Sequence, residues 1–213
     1  AVGLPSIIMQ SIGSVMTYLF NQILMVFTTT AAAVFGVYFK LQSFIFMPIF
    51  GLNNGVVPII AYNFGARRKK RIIDTVKLGV LGAESIMFIG FLLFQFAPMP
   101  LLKLFNASDD MLTIGVPALR TIGWHYLAAG ICIVCGSTFQ ALGNGVMTLI
   151  MSVMRQIVVL LPAAYLLSLT GRLEMVWWSF PIAEVASLIA CLFFLRKIYH
   201  KEIAPLPDEA SAA

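Results

Sequence analysis

Long apolar stretches separated by short polar segments run along the whole chain. Residues 1–39, 41–66 and 121–154 contain no Asp, Glu, Lys or Arg. A helix of about 20 mostly apolar residues crosses a hydrocarbon core of about 30 Å. Each of these stretches is therefore long enough for at least one membrane-spanning helix.

The apolar stretches predict helices rather than strands. They are longer than the strands of about ten residues that build membrane barrels, and they alternate too little between apolar and polar positions. A helix also satisfies its own backbone hydrogen bonds in lipid. We predict an all-α integral membrane protein with six transmembrane helices, at residues 5–27, 32–61, 74–97, 111–141, 146–169 and 175–198.

Two further features of this organisation are expected. Proline removes a helical hydrogen bond and glycine weakens a helix, so the second helix should be broken at four positions: Pro48, Gly51, Gly55 and Pro58. Residues 1–204 are predicted to form one six-helix transmembrane unit. Residues 205–213 are predicted to be a disordered cytoplasmic tail.

The basic residues predict the orientation of the six helices. Residues 67–71 are all Lys or Arg and contain five of the 14 in the chain. With six crossings, this run lies on the same side as the turn at 143–145 and the basic residues within 196–201, whereas Lys103 and Arg172 lie on the other side. Cytoplasmic loops carry an excess of Lys and Arg. We therefore expect a multi-pass protein of the plasma membrane, with both ends of this unit in the cytoplasm.

The composition excludes a soluble domain. The chain is 60% hydrophobic and 11% charged, whereas soluble domains carry about 25% charged residues. The net charge of +5 comes from basic residues at helix ends, which membrane topology explains without a nucleic-acid partner. The expected surroundings are the lipid bilayer.

No grouping of residues predicts catalysis, a cofactor or a metal site. His125 and His200 have no Ser, Cys or carboxylate nearby in a catalytic arrangement. Cys132 and Cys135 form a C-x-x-C inside a predicted membrane helix, where packing between helices is favoured over metal or redox chemistry. We therefore expect a protein that is not an enzyme and holds no cofactor.

The first predicted helix carries a stripe of polar side chains, for which lipid offers no hydrogen-bonding partner. Spacings of three or four residues place five of them on one face: Ser6, Gln10, Ser14, Thr17 and Asn21. One interpretation is the wall of a water-filled, substrate-binding cavity. The other is a set of hydrogen bonds between helices, each worth about 0.6–2 kcal/mol. The single residues favour the hydrogen bonds, and the complete stripe favours the cavity.

Lys40 and Asn54 are the candidate substrate contacts of the second helix. Lys40 lies about 13 Å inside the membrane at 1.5 Å per residue, where a charge needs a partner, water or a path to the surface. Asn53 and Asn54 lie between glycines and prolines, where a bend frees backbone carbonyls. This segment acts as a hinge or a substrate contact, or it packs closely at a kink.

Four other charges lie within apolar stretches. Arg155 and Glu184 are both near mid-depth on consecutive helices, which are usually neighbours, so we predict an ion pair between them. Glu84 and Arg120 are a second candidate pair. The favoured role is structural neutralisation of charge, and the alternative is a proton relay.

The segment Gly51–Ala66 reads G-x3-G-x2-P-x3-Y-N-x-G-A and is followed by the basic run. It resembles the multidrug and toxic compound extrusion (MATE) family, in which such a segment ends a helix before a basic cytoplasmic loop. Weaker similarities are found at Gly3–Pro5, at Gln140–Gly143, and at Arg155 with Pro162. Together they span nearly the whole chain.

The resemblance implies a twelve-helix transporter built from two six-helix lobes, of which this chain is the second. A first, N-terminal lobe is then the expected partner, and the chain is a fragment of a longer transporter. The implied function is secondary active efflux of organic cations and amphipathic drugs, by antiport with H⁺ or Na⁺ and alternating access of a cavity between the lobes.

The chain departs from one branch of that family. That branch carries a Glu in the first helix and an Asp in the fourth helix of this lobe, which bind the coupling cation. The corresponding positions here are near Gly13 and Ile131, and neither is acidic. The site of the coupling ion, H⁺ or Na⁺, is therefore expected in the N-terminal lobe.

Two other functions remain open on the sequence. A flippase for lipid-linked saccharides belongs to the same superfamily, but it needs several basic residues facing the cavity, and Lys40 is the main candidate on the first two helices. A non-transporting scaffold or channel subunit would pack the polar stripe of the first helix against protein, leaving no water there.

Overall fold

The structure, a computed structural model, describes residues 3–207 and the side chains from Ile7 onward. It contains ten α-helices in this range: α1 (Gly3–Met25), α2 (Thr29–Gly65), α3 (Lys69–Phe96), α4 (Pro98–Lys103), α5 (Asp109–Gly123), α6 (Tyr126–Ala141), α7 (Gly145–Val153), α8 (Leu161–Ser168), α9 (Leu173–Val176) and α10 (Ser179–Ile198). Two π-helical segments, Met154–Leu160 and Tyr199–Ile203, follow α7 and α10.

The predicted membrane-spanning helices are present. Five continuous helical stretches within the described residues are long and apolar enough to cross a membrane, and α5 with α6 makes a sixth. The fold is therefore all-α with five to six apolar spans. The predicted tail at 205–213 lies mostly outside the described residues, since the description ends at Pro207.

The second predicted helix is longer and more regular than expected. It runs from Thr29 to Gly65 with Pro48 and Pro58 inside it, so the predicted break is wrong. Thr28 caps its first turn, because its hydroxyl accepts a hydrogen bond from the Thr30 N–H at 3.2 Å. Packing against α3 and α6 keeps the helix continuous although each proline removes a backbone donor.

The fourth and fifth predicted helices are interrupted. α5 and α6 meet at an angle of 53°, at Trp124 and His125. In the next span the chain widens into the π-helical segment before Pro162. Proline has no N–H for the carbonyl of Val158, and the Leu161 N–H bonds to Gln156 instead. This bond spans five residues, one more than in an α-helix, and a π-helical turn is the structure that contains such bonds.

The loops lie at two opposite ends, as the alternation of spans predicted. The amide of Asn144, in the turn between α6 and α7, donates to both carboxylate oxygens of Glu202 at 3.0 Å. Near it, Ile72 of α3 and Tyr199 line one groove. At the other end, Arg172 and Thr113 line a common pocket.

An aromatic cluster packs α1, α2 and α10 together. The Phe20 and Phe35 rings stack with centres 4.7 Å apart, and Trp177 and Phe180 close the cluster. Such pairs add about 0.5–1.5 kcal/mol beyond the burial of their area. The cluster holds the first helix against the second and last spans, and this arrangement positions the polar stripe of α1.

Candidate functional site

Two cavities open inside the helical bundle and share a wall. Cavity A has a volume of about 870 Å³ and cavity B about 530 Å³. Phe50, Ile133 and Arg155 line both. Cavity A lies between α1, α2, the π-helical segment and α10, and cavity B lies between α2, α6 and α7.

Cavity A combines polar, charged and aromatic side chains. The polar residues that line it are Gln10, Ser14, Thr17, Asn21, Gln42 and Gln156. The aromatic residues that line it are Tyr18, Tyr38, Phe39, Phe46, Phe50 and Phe180. A cavity lined both by rings and by a few hydrogen-bonding groups suits an amphipathic ligand.

The polar stripe of α1 lies along this cavity. Four of its five members line cavity A, and the side chain of the fifth, Ser6, is outside the described residues. Thr17 and Ser14 also donate to backbone carbonyls one turn back, at 2.9 and 3.4 Å. Their oxygens still have acceptor capacity for a ligand or water. Binding of substrate at these residues stays a prediction.

Arg155 and Glu184 are in contact, as the sequence suggested. Arg155 Nη1 lies 3.6 Å from Glu184 Oε2, and the side chains are 36% and 4% exposed. Both line cavity A, so the pair stands at a cavity wall rather than in a closed core. The contact shows that the ion pair exists; its role, whether structural neutralisation or proton relay, stays a prediction.

Three buried oxygens around the two cavities have no hydrogen-bonding partner. They are Glu184 Oε1, the Tyr38 hydroxyl and Asn53 Oδ1. The first two belong to residues lining cavity A, and Asn53 lines cavity B. Buried polar atoms are nearly always satisfied in proteins, so these three are candidate partners for a ligand, water or a side chain that moves.

The other predicted contacts are separated by the structure. Asn54 lines cavity B and not cavity A. Lys40 is exposed and lines neither cavity; its Nζ lies 5.8 Å from the centre of the Phe105 ring. The helical rotation of 100° per residue turns Lys40 away from Phe39 and Gln42, which do line cavity A.

The predicted pair of Glu84 and Arg120 is wrong. Glu84 Oε1 instead accepts the N–H of Ile131 at 2.8 Å. Arg120 is exposed on α5, and its carbonyl accepts a hydrogen bond from Gln95. The bend between α5 and α6 separates the two, because Glu84 packs on the α6 side of that bend.

Several residues of cavity A were not singled out by the sequence. Tyr38 and Gln42 are one helical turn apart on α2, and this spacing was an available signal. His125 is 5% exposed, and its Nδ1 lies 2.6 Å from the Ile122 carbonyl. Its position depends on the bend between α5 and α6, which the hydrophobic pattern does not encode.

The family model, the curated relatives and the solved structures that match this chain all point to the same family. A model of the MatE family matches residues 5–166. The multidrug export protein MepA of Staphylococcus haemolyticus is 28% identical over 200 residues, which cover 94% of this chain and 44% of MepA. The chain therefore spans about half the length of the curated relatives it matches.

Solved structures show the same relationship. The MATE multidrug transporter DinF-BH is 33% identical with a TM-score of 0.82, over 95% of this chain and 45% of DinF-BH. The Vibrio cholerae MATE transporter VcmN, in its bent form, is 19% identical with a TM-score of 0.87, over 94% of this chain and 46% of VcmN. At that identity the second match supports the fold.

Proposed function

Because this chain belongs to the MATE family, whose members are transporters and not enzymes, we propose that it forms one lobe of a secondary active drug exporter. The cargo is organic cations and amphipathic drugs. Cavity A is this lobe's part of the binding site, and a second six-helix lobe completes it. Antiport with H⁺ or Na⁺ drives the exchange between inward-open and outward-open states.

The composition of cavity A supports drug export most strongly. Its lining, around about 870 Å³, combines four hydrogen-bonding residues of α1 with six aromatic side chains, five of which lie on α2 and α10. A drug-sized ligand fits a cavity of about 300–1,000 Å³. Rings accommodate varied flat or apolar groups, and the polar stripe supplies alternative hydrogen bonds, which together suit a transporter of many compounds.

The coupling ion is proposed to bind in the other lobe. Gly13 lines cavity A and Ile131 lies on α6, and neither side chain offers a carboxylate. We place the loop at residues 67–71 on the cytoplasmic side of the plasma membrane. It contains five of the 14 Lys and Arg residues of the chain, and cytoplasmic loops carry an excess of these residues.

The charge of the cavities favours drug export over transport of lipid-linked saccharides. Arg155 is the one Lys or Arg among the described residues lining cavities A and B. A diphosphate carries several negative charges and needs several cations around it. Glu184 beside Arg155 also opposes an anionic cargo.

Replacing Gln10 and Asn21 together with leucine is expected to abolish most export. The change removes two hydrogen-bonding groups from cavity A and fills part of its volume with apolar atoms. We expect the efflux rate of a fluorescent cationic dye from cells to fall at least about tenfold, the equivalent of about 1.4 kcal/mol. The measurement uses the complete transporter, with equal amounts in the membrane.

The matched control is Ser85→Leu, which also replaces a polar residue with leucine near the middle of a span. Ser85 is exposed on α3, lines neither cavity, and bonds to the carbonyl of Leu81. Its variant should export at the unmodified rate. Export unchanged in the Gln10 and Asn21 variant would remove cavity A from the route of the cargo.

A further inference from the structure

Glu184 has one carboxylate oxygen that is buried and unused. The residue is 3% exposed, Oε1 has no hydrogen-bonding partner, and Oε2 contacts Arg155 Nη1 at 3.6 Å. A tight pair of guanidinium and carboxylate has N–O distances of about 2.7–2.9 Å. The contact is therefore a loose ion pair, and Oε1 is left without a partner of its own.

Arg155 has access to more than one set of acceptors. Its side chain is 36% exposed and lines both cavities. It is the second residue of the π-helical segment Met154–Leu160, a type of helical irregularity often found at functional sites. The guanidinium carries five donors, so it needs several acceptors wherever it lies.

Cavity B supplies such acceptors. Asn53 Oδ1 is buried there without a partner, and the side chains of Asn54, Gln140 and Ser187 line the same space. An Arg155 side chain that leaves Glu184 therefore finds hydrogen-bond acceptors in cavity B. In that position Arg155 would satisfy Asn53 Oδ1, and the Glu184 oxygen that it now contacts would face cavity A.

The surroundings of Glu184 in cavity A suit an organic cation better than a metal ion. The rings of Tyr38, Phe46 and Phe180 line the cavity with it, and aromatic faces attract ammonium and other soft cations. The other titratable groups that line the cavity are Tyr18, Tyr38, His125 and Arg155, and none of them adds a second carboxylate.

We propose that Glu184 binds the cationic group of the cargo, and that Arg155 occupies this carboxylate when no cargo is present. Arrival of the cargo displaces Arg155 into cavity B, and its return to Glu184 expels the cargo. This inference rests on the proposed export function and adds to it a defined anchor and an internal competitor. It assigns the ion pair an active role in place of simple charge neutralisation.

The test measures binding of tetraphenylphosphonium, a permanent cation, to the complete transporter in lipid nanodiscs. Glu184→Gln should weaken binding at least about tenfold, since it removes a close charge partner. Glu84→Gln is the matched control, because Glu84 is also a carboxylate well inside an apolar helix, bonds to the Ile131 N–H, and lines neither cavity. It should bind within about twofold of the unmodified protein.

Arg155→Gln tests the competitor separately. Removing the internal cation should tighten tetraphenylphosphonium binding at least about threefold, whereas a purely structural ion pair predicts weaker binding or none. If either single variant fails to fold, the double variant Arg155→Gln/Glu184→Gln replaces the pair with two neutral amides of similar size. It should bind as weakly as Glu184→Gln alone.

Each other outcome overturns the inference in a distinct way. Unchanged binding in Glu184→Gln, or in the double variant, excludes Glu184 as the anchor. Weaker binding in Arg155→Gln excludes displacement. Na⁺ and choline are also compared as competitors at equal ionic strength. If Na⁺ but not choline displaces the probe, and Glu184→Gln removes this effect, the site holds an inorganic cation instead. No binding by the unmodified transporter would count against the proposed function itself.

Discussion

Replacing Gly130 with valine is expected to destabilise the bundle by about 3 kcal/mol or more. A Cβ atom at this position would lie 2.7 Å from Glu84 Oε1 and 3.1 Å from the carbonyl carbon of Ala83. The second contact is backbone, so α3 and α6 must move apart. Overpacking of this kind costs about 1–3 kcal/mol.

The displaced carboxylate adds to this cost. Glu84 must leave the Ile131 N–H, which it contacts at 2.8 Å, and a hydrogen bond to a charged group is worth about 1.5–3 kcal/mol. The measurement is thermal unfolding of the purified protein in nanodiscs. Gly36→Val is the matched control, because a Cβ there meets no atom within 4 Å. Equal stability of the two variants would show that α3 and α6 do not pack through Gly130.

Replacing Arg155 with leucine is expected to cost about 1–3 kcal/mol of stability, less than breaking a tight and fully buried pair, because it leaves the buried Glu184 carboxylate without its loosely held cation. Replacing both residues with leucine should recover most of this loss, since no uncompensated charge remains. The same unfolding measurement compares the single and double variants. Tetraphenylphosphonium should stabilise the single variant more than the double one, because a bound ligand stabilises the folded state.

A double variant that is less stable than Arg155→Leu alone would contradict this explanation. The two side chains would then contribute through packing with other neighbours rather than through their mutual charge. Equal stability of Arg155→Leu and the unmodified protein would mean that solvent in cavity A already screens Glu184.

The membrane-spanning helices could be predicted from the sequence because lipid restricts the chain so strongly. A charge-free stretch such as residues 1–39 has few alternatives in a bilayer. The same pattern contains no information on the direction of a helix axis. The bend at Trp124 and His125 was therefore missed, whereas the π-helical segment had a local signal in Pro162.

In the candidate site too, a pattern within one helix could be predicted from the sequence, whereas contacts between helices could not. The polar stripe of α1 could be predicted because several polar residues share one face of the helix. Together they define that face even if one of them is misplaced. Lys40 does not belong to a stripe of several polar residues. Its predicted depth in the membrane does not indicate which face of α2 it occupies. Glu84 bonds to a backbone N–H on another helix, and a backbone partner leaves no trace in the identity of side chains.

On the proposed function, the polar face of α1 borders an aqueous cavity rather than lipid. Ser14→Cys and Ser85→Cys test this in a transporter whose native cysteines have been removed. Both serines are exposed, near mid-span, and bonded to a carbonyl one turn back, but only Ser14 lines cavity A. We predict that a hydrophilic maleimide modifies the thiol at position 14 and not the one at position 85. An unreactive thiol at 14, or equal labelling at both positions, would show that the polar face of α1 does not border water.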